Sequence, residues 1–332
     1  MEQRIKDRYS DAILQEAMRR YGIVKDQVRS LDAFESFIYE FERGDRSYIL
    51  RVGHSLRRTE ALIQGEVDWI NYLAARGVSV AQAIVSETGK WVEVIDDGQG
   101  GQFLATAFFK AQGRPLWGLW TPTLYATFGE LLGRMHALAE HYQPAQPAWK
   151  RPEWDDPLMD YPERYLPASE GMAKQKYQAL CAHVRTLPTD SRCYGLIHFD
   201  AHGGNCLVDA AGHLTLFDFD DCTYSWYAND IAIALGYIAM DVPDGSALTQ
   251  TFTHFLRGYQ TAYHLDRKWL REIPIFLKMG EIFMYAVIHR DHDDVNNITD
   301  PELKQFVIDL KYKIEQDLPA IDFDFESLSA YL

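Results

Sequence analysis

The residues best suited to do chemistry lie in two short runs between residues 196 and 221. The first run, residues 196–208, is LIHFDAHGGNCLV, and it places Asp200 and Asn205 after an apolar segment. The second run, residues 214–221, is LTLFDFDD, and Asp218 follows its apolar part. An apolar strand that enters a glycine-containing loop, with two more strands after it, is expected to bring these three oxygen-bearing side chains to one edge.

Phosphoryl transfer to a hydroxyl needs this combination of side chains. A carboxylate such as Asp200 can accept or orient the hydroxyl proton. An amide and a second carboxylate, as in Asn205 and Asp218, supply the oxygen ligands that a hard divalent cation prefers. Such a cation neutralises the phosphates of a bound nucleotide.

Two other interpretations compete with this one. Asp and Asn favour turns and strand ends for local hydrogen-bonding reasons, so all three residues could be ordinary loop residues. A zinc site built from His198, His202 and His213 is a further alternative, although no cysteine or carboxylate pattern completes a tetrahedral set.

The motif H-x-D-x-x-x-x-N, followed by D-F-D, is similar to the catalytic and metal-binding loops of protein kinases. It resembles more closely those of the aminoglycoside phosphotransferase and choline kinase family. The resemblance implies ATP and Mg²⁺ as cofactors, Asp200 as the catalytic base, and Asn205 and Asp218 as metal ligands. His198 is expected to support the loop structurally. For Asp230, bracing the catalytic loop and capping a helix are equally open.

The same resemblance implies a bilobal, protein-kinase-like α+β fold. A small N-terminal lobe with an antiparallel sheet, residues 1–108, would bind the nucleotide. A larger and mainly helical C-terminal lobe, residues 109–332, would carry the catalytic loop and the substrate site.

Five residues of the first lobe are expected to take part in nucleotide binding. Arg51 on a strand and Glu66 on the following helix match the order of the family's strand lysine and helix glutamate. Ser36, in the loop 32–37, is the best local candidate for a phosphate contact. Thr106 and Phe108 lie in the segment expected to form the interlobe hinge, whose backbone would bind adenine.

Three features depart from the family pattern. Arg51 replaces the usual lysine, and a planar guanidinium is not interchangeable with an ammonium. The loop 32–37 lacks a Gly-x-Gly-x-x-Gly run. Phe199 stands between the histidine and the aspartate, where the family usually has a small or polar residue, and its ring is expected to pack rather than to react.

The surrounding pattern predicts the elements that must position these residues. Residues 37–42 and 47–52 are predicted to form a hairpin, and residues 58–76 a helix that ends before Gly77. Further strands are predicted at 83–86, 91–95 and 103–109. From Thr123 onward the pattern is mostly helical, and the proline-rich stretch 143–167 is predicted to lie on the surface.

Composition narrows the class of protein. The 332 residues include 33 Lys and Arg against 48 Asp and Glu, so a sequence-independent nucleic-acid binder is disfavoured. Four cysteines without a Cys-x-x-Cys pair suit free thiols, and no apolar run suggests a membrane span. We therefore expect a cytoplasmic protein with no membrane or nucleic-acid partner.

Most of the negative charge falls in residues 111–332, which favours a small amine-bearing hydroxyl compound such as an aminoglycoside, choline, homoserine or hydroxylysine. Candidates for holding its ammonium group are Asp155, Asp156, Asp160, Glu281 and Tyr285. A protein Ser/Thr kinase is disfavoured because no long activation loop follows Asp221. A nucleotide-binding regulatory or scaffold protein with little turnover is the alternative from another class.

Overall fold

The computed structural model describes residues 1–24, 28–31, 33, 35–242, 245–292 and 295–332. The chain forms two compact units. The first unit comprises Met1–Arg114, Gln143–Arg151 and Leu207–Asp220, and the second comprises Pro115–Tyr142, Pro152–Cys206 and Asp221–Leu332. The sequence predicted a single boundary between residues 108 and 109, whereas the first unit also takes in two later segments.

An antiparallel sheet forms the centre of the first unit. Its strands are β1 (Val28–Leu31), β2 (Phe37–Arg43), β3 (Arg46–His54), β4 (Ala83–Ile84), β5 (Glu93–Asp96) and β6 (Gln102–Phe109). The order is β1-β2-β3-β6-β4, and β5 also pairs with β6. The helices of this unit are α1 (Gln3–Lys6), α2 (Asp11–Arg20) and α3 (Glu60–Ala74).

The hairpin of β2 and β3 forms because its residues alternate between the core and solvent. Tyr39 and Phe41 on β2 are buried, as are Leu50 and Val52 on β3, and they pack in one cluster with residues of α2. The turn uses Gly44 at a φ of 64°, a left-handed conformation that glycine adopts without strain. The predicted hairpin is therefore present, with each strand slightly longer than expected.

Helix α3 begins at a side-chain cap and buries a charged residue. The Thr59 hydroxyl accepts the N–H of Leu62, which satisfies one of the free donors of the first turn. Glu66 is fully buried on this helix among apolar neighbours such as Val67 and Ile70. A carboxylate in that position needs a cationic partner.

The second unit is mainly helical. Its helices are α4 (Pro122–Ala139), α5 (Tyr161–Tyr165), α6 (Gly171–Val184), α7 (Tyr227–Asp241), α8 (Leu248–Ala262), α9 (Ile273–Asp291) and α10 (Pro301–Glu315). Two strands of this unit, β8 (Tyr194–Ile197) and β11 (Thr223–Trp226), pair antiparallel. Three short strands, β7 (Arg114–Pro115), β9 (Cys206–Val208) and β10 (Leu214–Leu216), form a third sheet in the order β10-β9-β7, of which β10 and all but the first residue of β9 belong to the first unit.

Helices α4 and α8 approach each other through glycines. A Cβ atom built at Gly258 would lie 1.8 Å from the carbonyl oxygen of Ala126. One built at Gly129 would lie 2.0 Å from the carbonyl oxygen of Phe255. Only a residue without a side chain allows this backbone-to-backbone contact.

The expected α+β class is observed, and two local differences are instructive. The stretch 143–167 is not a surface excursion, because Arg151, Met159 and Tyr161 within it are buried. Helix α6 was not predicted, since its buried face includes small residues, among them Ala173, that give a weak periodic signal. No helix within the described residues is both long enough and apolar enough to cross a membrane.

Candidate active site

The loop that carries Asp200 follows β8 in the second unit, and the side chain of Asp230 holds its backbone in place. The Asp230 carboxylate is fully buried and accepts the backbone N–H groups of His198 at 3.1 Å and Phe199 at 2.9 Å. It also pairs with His136 Nε2 at 3.0 Å. Asp230 lies inside the first turn of α7, whose N-cap is Trp226, so its carboxylate serves the loop rather than the helix end.

Phe199 occupies a backbone conformation that favours glycine. Its φ is 69°, in the left-handed region that L residues rarely adopt. The Asp230 carboxylate fixes its N–H group, and its ring packs edge-on against Phe283 with centroids 5.7 Å apart. Glycine is the unstrained choice here, and in this chain the buried carboxylate and the ring contact offset the strain.

Asp200 and Asn205 contact each other directly. Asn205 Nδ2 donates to a carboxylate oxygen of Asp200 at 2.8 Å and to its carbonyl oxygen at 3.1 Å. His198 is fully buried, and its Nδ1 accepts the N–H of Asp200 at 3.2 Å. The Asp200 side chain keeps 36% of its surface exposed, so the carboxylate is held in place and remains accessible. Because the side-chain N–H groups of Asn205 donate to Asp200, its side-chain carbonyl oxygen is the atom suited to bind a cation.

Trp117 and Tyr237, which no sequence motif indicated, lie beside this loop. The His202 ring lies 4.3 Å from that of Tyr237 and 5.4 Å from that of Trp117, and His202 Nε2 is 3.5 Å from Asp200 Oδ2. Burial, followed by the negative charge of Asp200, raises the pKa of Tyr237, so its hydroxyl stays protonated. A Cβ built at Gly204 would lie 2.5 Å from Trp117 Nε1, which explains the glycine in the motif.

In the first unit, Arg51 and Glu66 form a buried bidentate ion pair. Nη1 and Nη2 of Arg51 donate to the two oxygens of Glu66 at 2.7 and 2.6 Å. The guanidinium lies over the Phe108 ring, 5.1 Å from its centroid. Thr106 faces Arg51 across the β3–β6 pair, and its buried hydroxyl has no hydrogen-bond partner within the described part of the chain.

The remaining nucleotide candidate, Ser36, lies beside β3. Its hydroxyl would be 3.6 Å from a Cβ built at Gly53. Within the predicted loop 32–37, Asp32 and Phe34 lie outside the described residues. The first unit therefore brings Arg51, Glu66, Thr106 and Phe108 into one cluster, with Ser36 on the neighbouring stretch.

Asp218 also belongs to the first unit. It follows β10, is exposed, and has a φ of 64°, in the left-handed region that residues other than glycine rarely adopt. The next acidic residue, Asp220, forms ion pairs with arginines. Arg57 pairs with its carboxylate, and Arg58 Nε lies 3.6 Å from the same carboxylate oxygen. Arg57 also pairs with Glu35 at 3.0 Å.

The predicted ammonium-binding residues are occupied by other contacts. Asp155 lies 3.4 Å from Arg185, Asp156 accepts the N–H of Leu158, and Asp160 caps α5. Glu281 pairs with Lys278. Tyr285 is 1% exposed and belongs to a hydrophobic cluster around α9. The structure thus does not assemble these residues into a single accessible anionic site.

The zinc alternative finds no support in the donor geometry. His213 pairs with Asp209 in a turn, with Nδ1 3.0 Å from the carboxylate. Among the described residues, no group of three or more His, Cys, Asp or Glu side chains is placed to hold a metal ion.

Comparisons with known proteins identify the family of the chain. Residues 28–273 match the family model described as "Phosphotransferase enzyme family". The chain is 37% identical over 326 residues to the amicoumacin kinase of Bacillus subtilis (strain 168), which covers 96% of each protein.

Two solved structures extend the comparison. The amicoumacin kinase hAmiN, in complex with AMP-PNP, Ca²⁺ and Ami, superimposes with a TM-score of 0.93 at 34% identity over 99% of this chain and 100% of that one. A microcompartment-associated aminopropanol kinase has a TM-score of 0.73 at 21% identity over 92% and 95%, a likeness of fold alone.

The chain belongs to the phosphotransferase enzyme family. The predicted resemblance and the kinase-like α+β fold are confirmed. So is the expectation of an enzyme, a kinase that acts on small molecules.

Proposed function

We propose that this protein transfers the terminal phosphoryl group of ATP, with Mg²⁺, to a hydroxyl of a small amine-bearing compound of the amicoumacin type. The observation that carries the proposal is the braced loop in which an accessible Asp200 is fixed by Asn205 and His198. The substrate class rests on the similarity to amicoumacin kinases over nearly the whole chain.

The residues present fit a nucleotide and a divalent cation. Arg51 is held by Glu66 through two parallel N–H bonds, and a guanidinium oriented in this way is suited to pair with phosphate oxygens. The buried Thr106 hydroxyl, without a partner in the described residues, is a polar group that a bound nucleotide would satisfy. Asn205 and Asp218 supply the oxygen ligands that suit Mg²⁺. When bound, the cation neutralises the phosphate charge that builds up during transfer.

In the proposed reaction the acceptor hydroxyl gives its proton to a carboxylate oxygen of Asp200. The acceptor oxygen bonds to the terminal phosphorus as the bond from that phosphorus to ADP breaks, and ADP leaves. Asn205 keeps the carboxylate oriented, and Asp230 prevents the loop backbone from relaxing out of its strained conformation. Under this proposal, the first unit holds the nucleotide and the second unit holds the acceptor.

Neither alternative function gains support from a specific observation. The Arg51–Glu66 pair is formed despite the lysine-to-arginine departure. Phe199 adopts the backbone conformation expected of a glycine, so it does not displace Asp200. These two residues were the reasons to consider a binding protein without turnover.

The experiment is an ADP-release assay with amicoumacin, amino alcohols, homoserine, an aminoglycoside and neutral sugars as acceptors. Asp200→Asn should leave ATP binding intact and lower turnover by roughly 10²- to 10⁴-fold, the usual contribution of a general base. Asp209→Asn is the matched control, because an asparagine keeps its turn contacts. Wild-type turnover in Asp200→Asn, or turnover with neutral sugars but no amine, would contradict the proposal.

A further inference from the structure

A cavity of about 340 Å³ lies on the first unit, beside α3. The walls come from α3, from Trp91, and from the segment 143–149 that packs onto the helix. This volume is that of a site for a small molecule. No residue assigned above to nucleotide, metal or acceptor lines it.

The cavity wall combines aromatic faces with hydrogen-bond acceptors. Trp91 and Trp149 contribute indole rings, whereas the Tyr72 ring is stacked on Trp69 and covered by the Arg76 guanidinium, 3.6 Å from its centroid. Asp68 contributes a carboxylate, one oxygen of which accepts the N–H of Ala145 at 3.0 Å. Asn71 Oδ1 is buried and has no hydrogen-bond partner among the residues that the structure describes. A buried acceptor without a donor is costly, and a ligand that brings N–H groups would satisfy it.

We propose that this cavity binds a small planar organic cation with N–H donors, of the amidinium or guanidinium class. The indole rings of Trp91 and Trp149 favour a flat, positively charged group. The Asp68 carboxylate and the Asn71 carbonyl accept its N–H groups. The site is additional to the kinase centre and does not depend on which acceptor the enzyme phosphorylates.

The cavity lies on the face of α3 opposite to Glu66. Gln64, Asp68 and Asn71 follow one another at i, i+4 and i+7, so they share one face of the helix. Glu66, two residues from both Gln64 and Asp68, points to the other face and pairs with Arg51. A ligand in the cavity therefore contacts the helix that orients the nucleotide-binding arginine.

The segment that closes the cavity is tied to both α3 and the chain after Asp218. A Cβ built at Gly65 would lie 2.0 Å from the Trp149 carbonyl oxygen, so helix and segment are in backbone contact. Arg151 donates to the carbonyl oxygens of Leu62 at 2.8 Å and Asp220 at 2.6 Å. A ligand that binds this arrangement of α3 favours the state in which Glu66 holds Arg51, which, under the proposed nucleotide role of Arg51, predicts positive coupling between the two.

Benzamidine is a suitable probe, because it is a planar amidinium without a hydroxyl and cannot be a phosphate acceptor. Calorimetric titration into the full chain should give saturable binding with a Kd below about 1 mM. Asp68→Asn, which removes only the charge, should weaken binding at least about tenfold. Ala145→Trp, which fills the cavity from an exposed position, should abolish it. Asp209→Asn serves again as the control, and thermal melts confirm that each variant is folded.

Coupling is measured on the same samples. Saturating benzamidine should lower the apparent KM for ATP by about twofold or more in the wild type and leave it unchanged in Ala145→Trp. The site is refuted if the wild type shows no saturable binding up to about 10 mM, or if both variants bind as the wild type does. Displacement of benzamidine by the acceptor would place it in the acceptor site and also refute the proposal. Intact binding with an unchanged KM would overturn the coupling.

Discussion

At the scale of single residues, the buried Arg51–Glu66 ion pair contributes to the stability of the first unit. Both side chains are buried, so each neutralises a charge that would otherwise be stranded. Removing one partner of such a pair costs about 3–5 kcal/mol, much more than a surface ion pair contributes. The pair thus has a structural role besides the one proposed for it in nucleotide binding.

Arg51→Lys is expected to keep the fold and to raise the KM for ATP several-fold, since a single ammonium cannot reproduce two parallel bonds to Glu66. Arg51→Ala is expected to lower the free energy of unfolding by about 3 kcal/mol. Denaturant titration and initial-rate kinetics separate the two effects. Lys90→Ala, an exposed basic residue of the same unit, is the control and should change neither quantity. An Arg51→Ala protein as stable as the wild type would show that Glu66 does not need this partner.

At the scale of elements, the hairpin and the main helices could be predicted because their signals are local. The alternation of Tyr39 and Phe41 and the glycine turn at Gly44 lie within a few residues of each other. The motif around Asp200 was also recognisable from spacing alone. Contacts between distant segments, such as Arg57 with Asp220 or Trp117 with His202, leave no periodic signal and could not be predicted.

Helix packing in the second unit depends on Gly258, which lies against the backbone of α4. Gly258→Ala places a methyl group 1.8 Å from the Ala126 carbonyl oxygen, so α4 and α8 must separate. We expect a loss of stability of at least about 3 kcal/mol, measured by denaturant unfolding. Gly280→Ala on α9 is the matched control, because a Cβ there meets nothing within 4 Å. That variant should be unchanged or more stable by up to about 1 kcal/mol.

Glu93 joins α2 to β5 and should make the first unit sensitive to acid. Burial raises the pKa of its carboxyl, but hydrogen bonds from Ser86, Thr88 and Arg20 outweigh burial, and the net pKa is lowered. A lowered folded-state pKa contributes stability above the unfolded value, near 4.5, which is lost as the pH falls through the folded-state pKa.

The difference in unfolding free energy between wild type and Glu93→Gln should therefore shrink as the pH falls below about 4.5. Denaturant titrations at pH 7, 5 and 3.5 measure it. A difference that stays constant over that range would show that the Glu93 charge does not stabilise the fold. Glu326→Gln is the control, because Glu326 forms an exposed pair with Arg271 and its effect should be small throughout.

At the scale of the whole molecule, the charge of −15 at pH 7 provides a test of the proposed substrate class. No single acidic site for an ammonium group is assembled from the candidates that the sequence suggested. Attraction of a cationic acceptor must then come from the summed field of the protein, which salt screens over a Debye length of about 10 Å at 0.1 M.

We expect kcat/KM for an amine-bearing acceptor to fall several-fold as the ionic strength rises from about 0.01 to 0.3 M, because screening removes the long-range attraction. The same compound with its amine acetylated keeps the hydroxyl and loses the charge, so its kcat/KM should be lower at low salt and nearly independent of salt. Steady-state kinetics with both acceptors at saturating ATP provide the comparison, with the salt dependence of the KM for ATP measured separately. Parallel salt dependence for the charged and the acetylated acceptor would mean that the acidic surface has no part in substrate selection. Recognition would then depend on short-range contacts in the aromatic surroundings of Asp200.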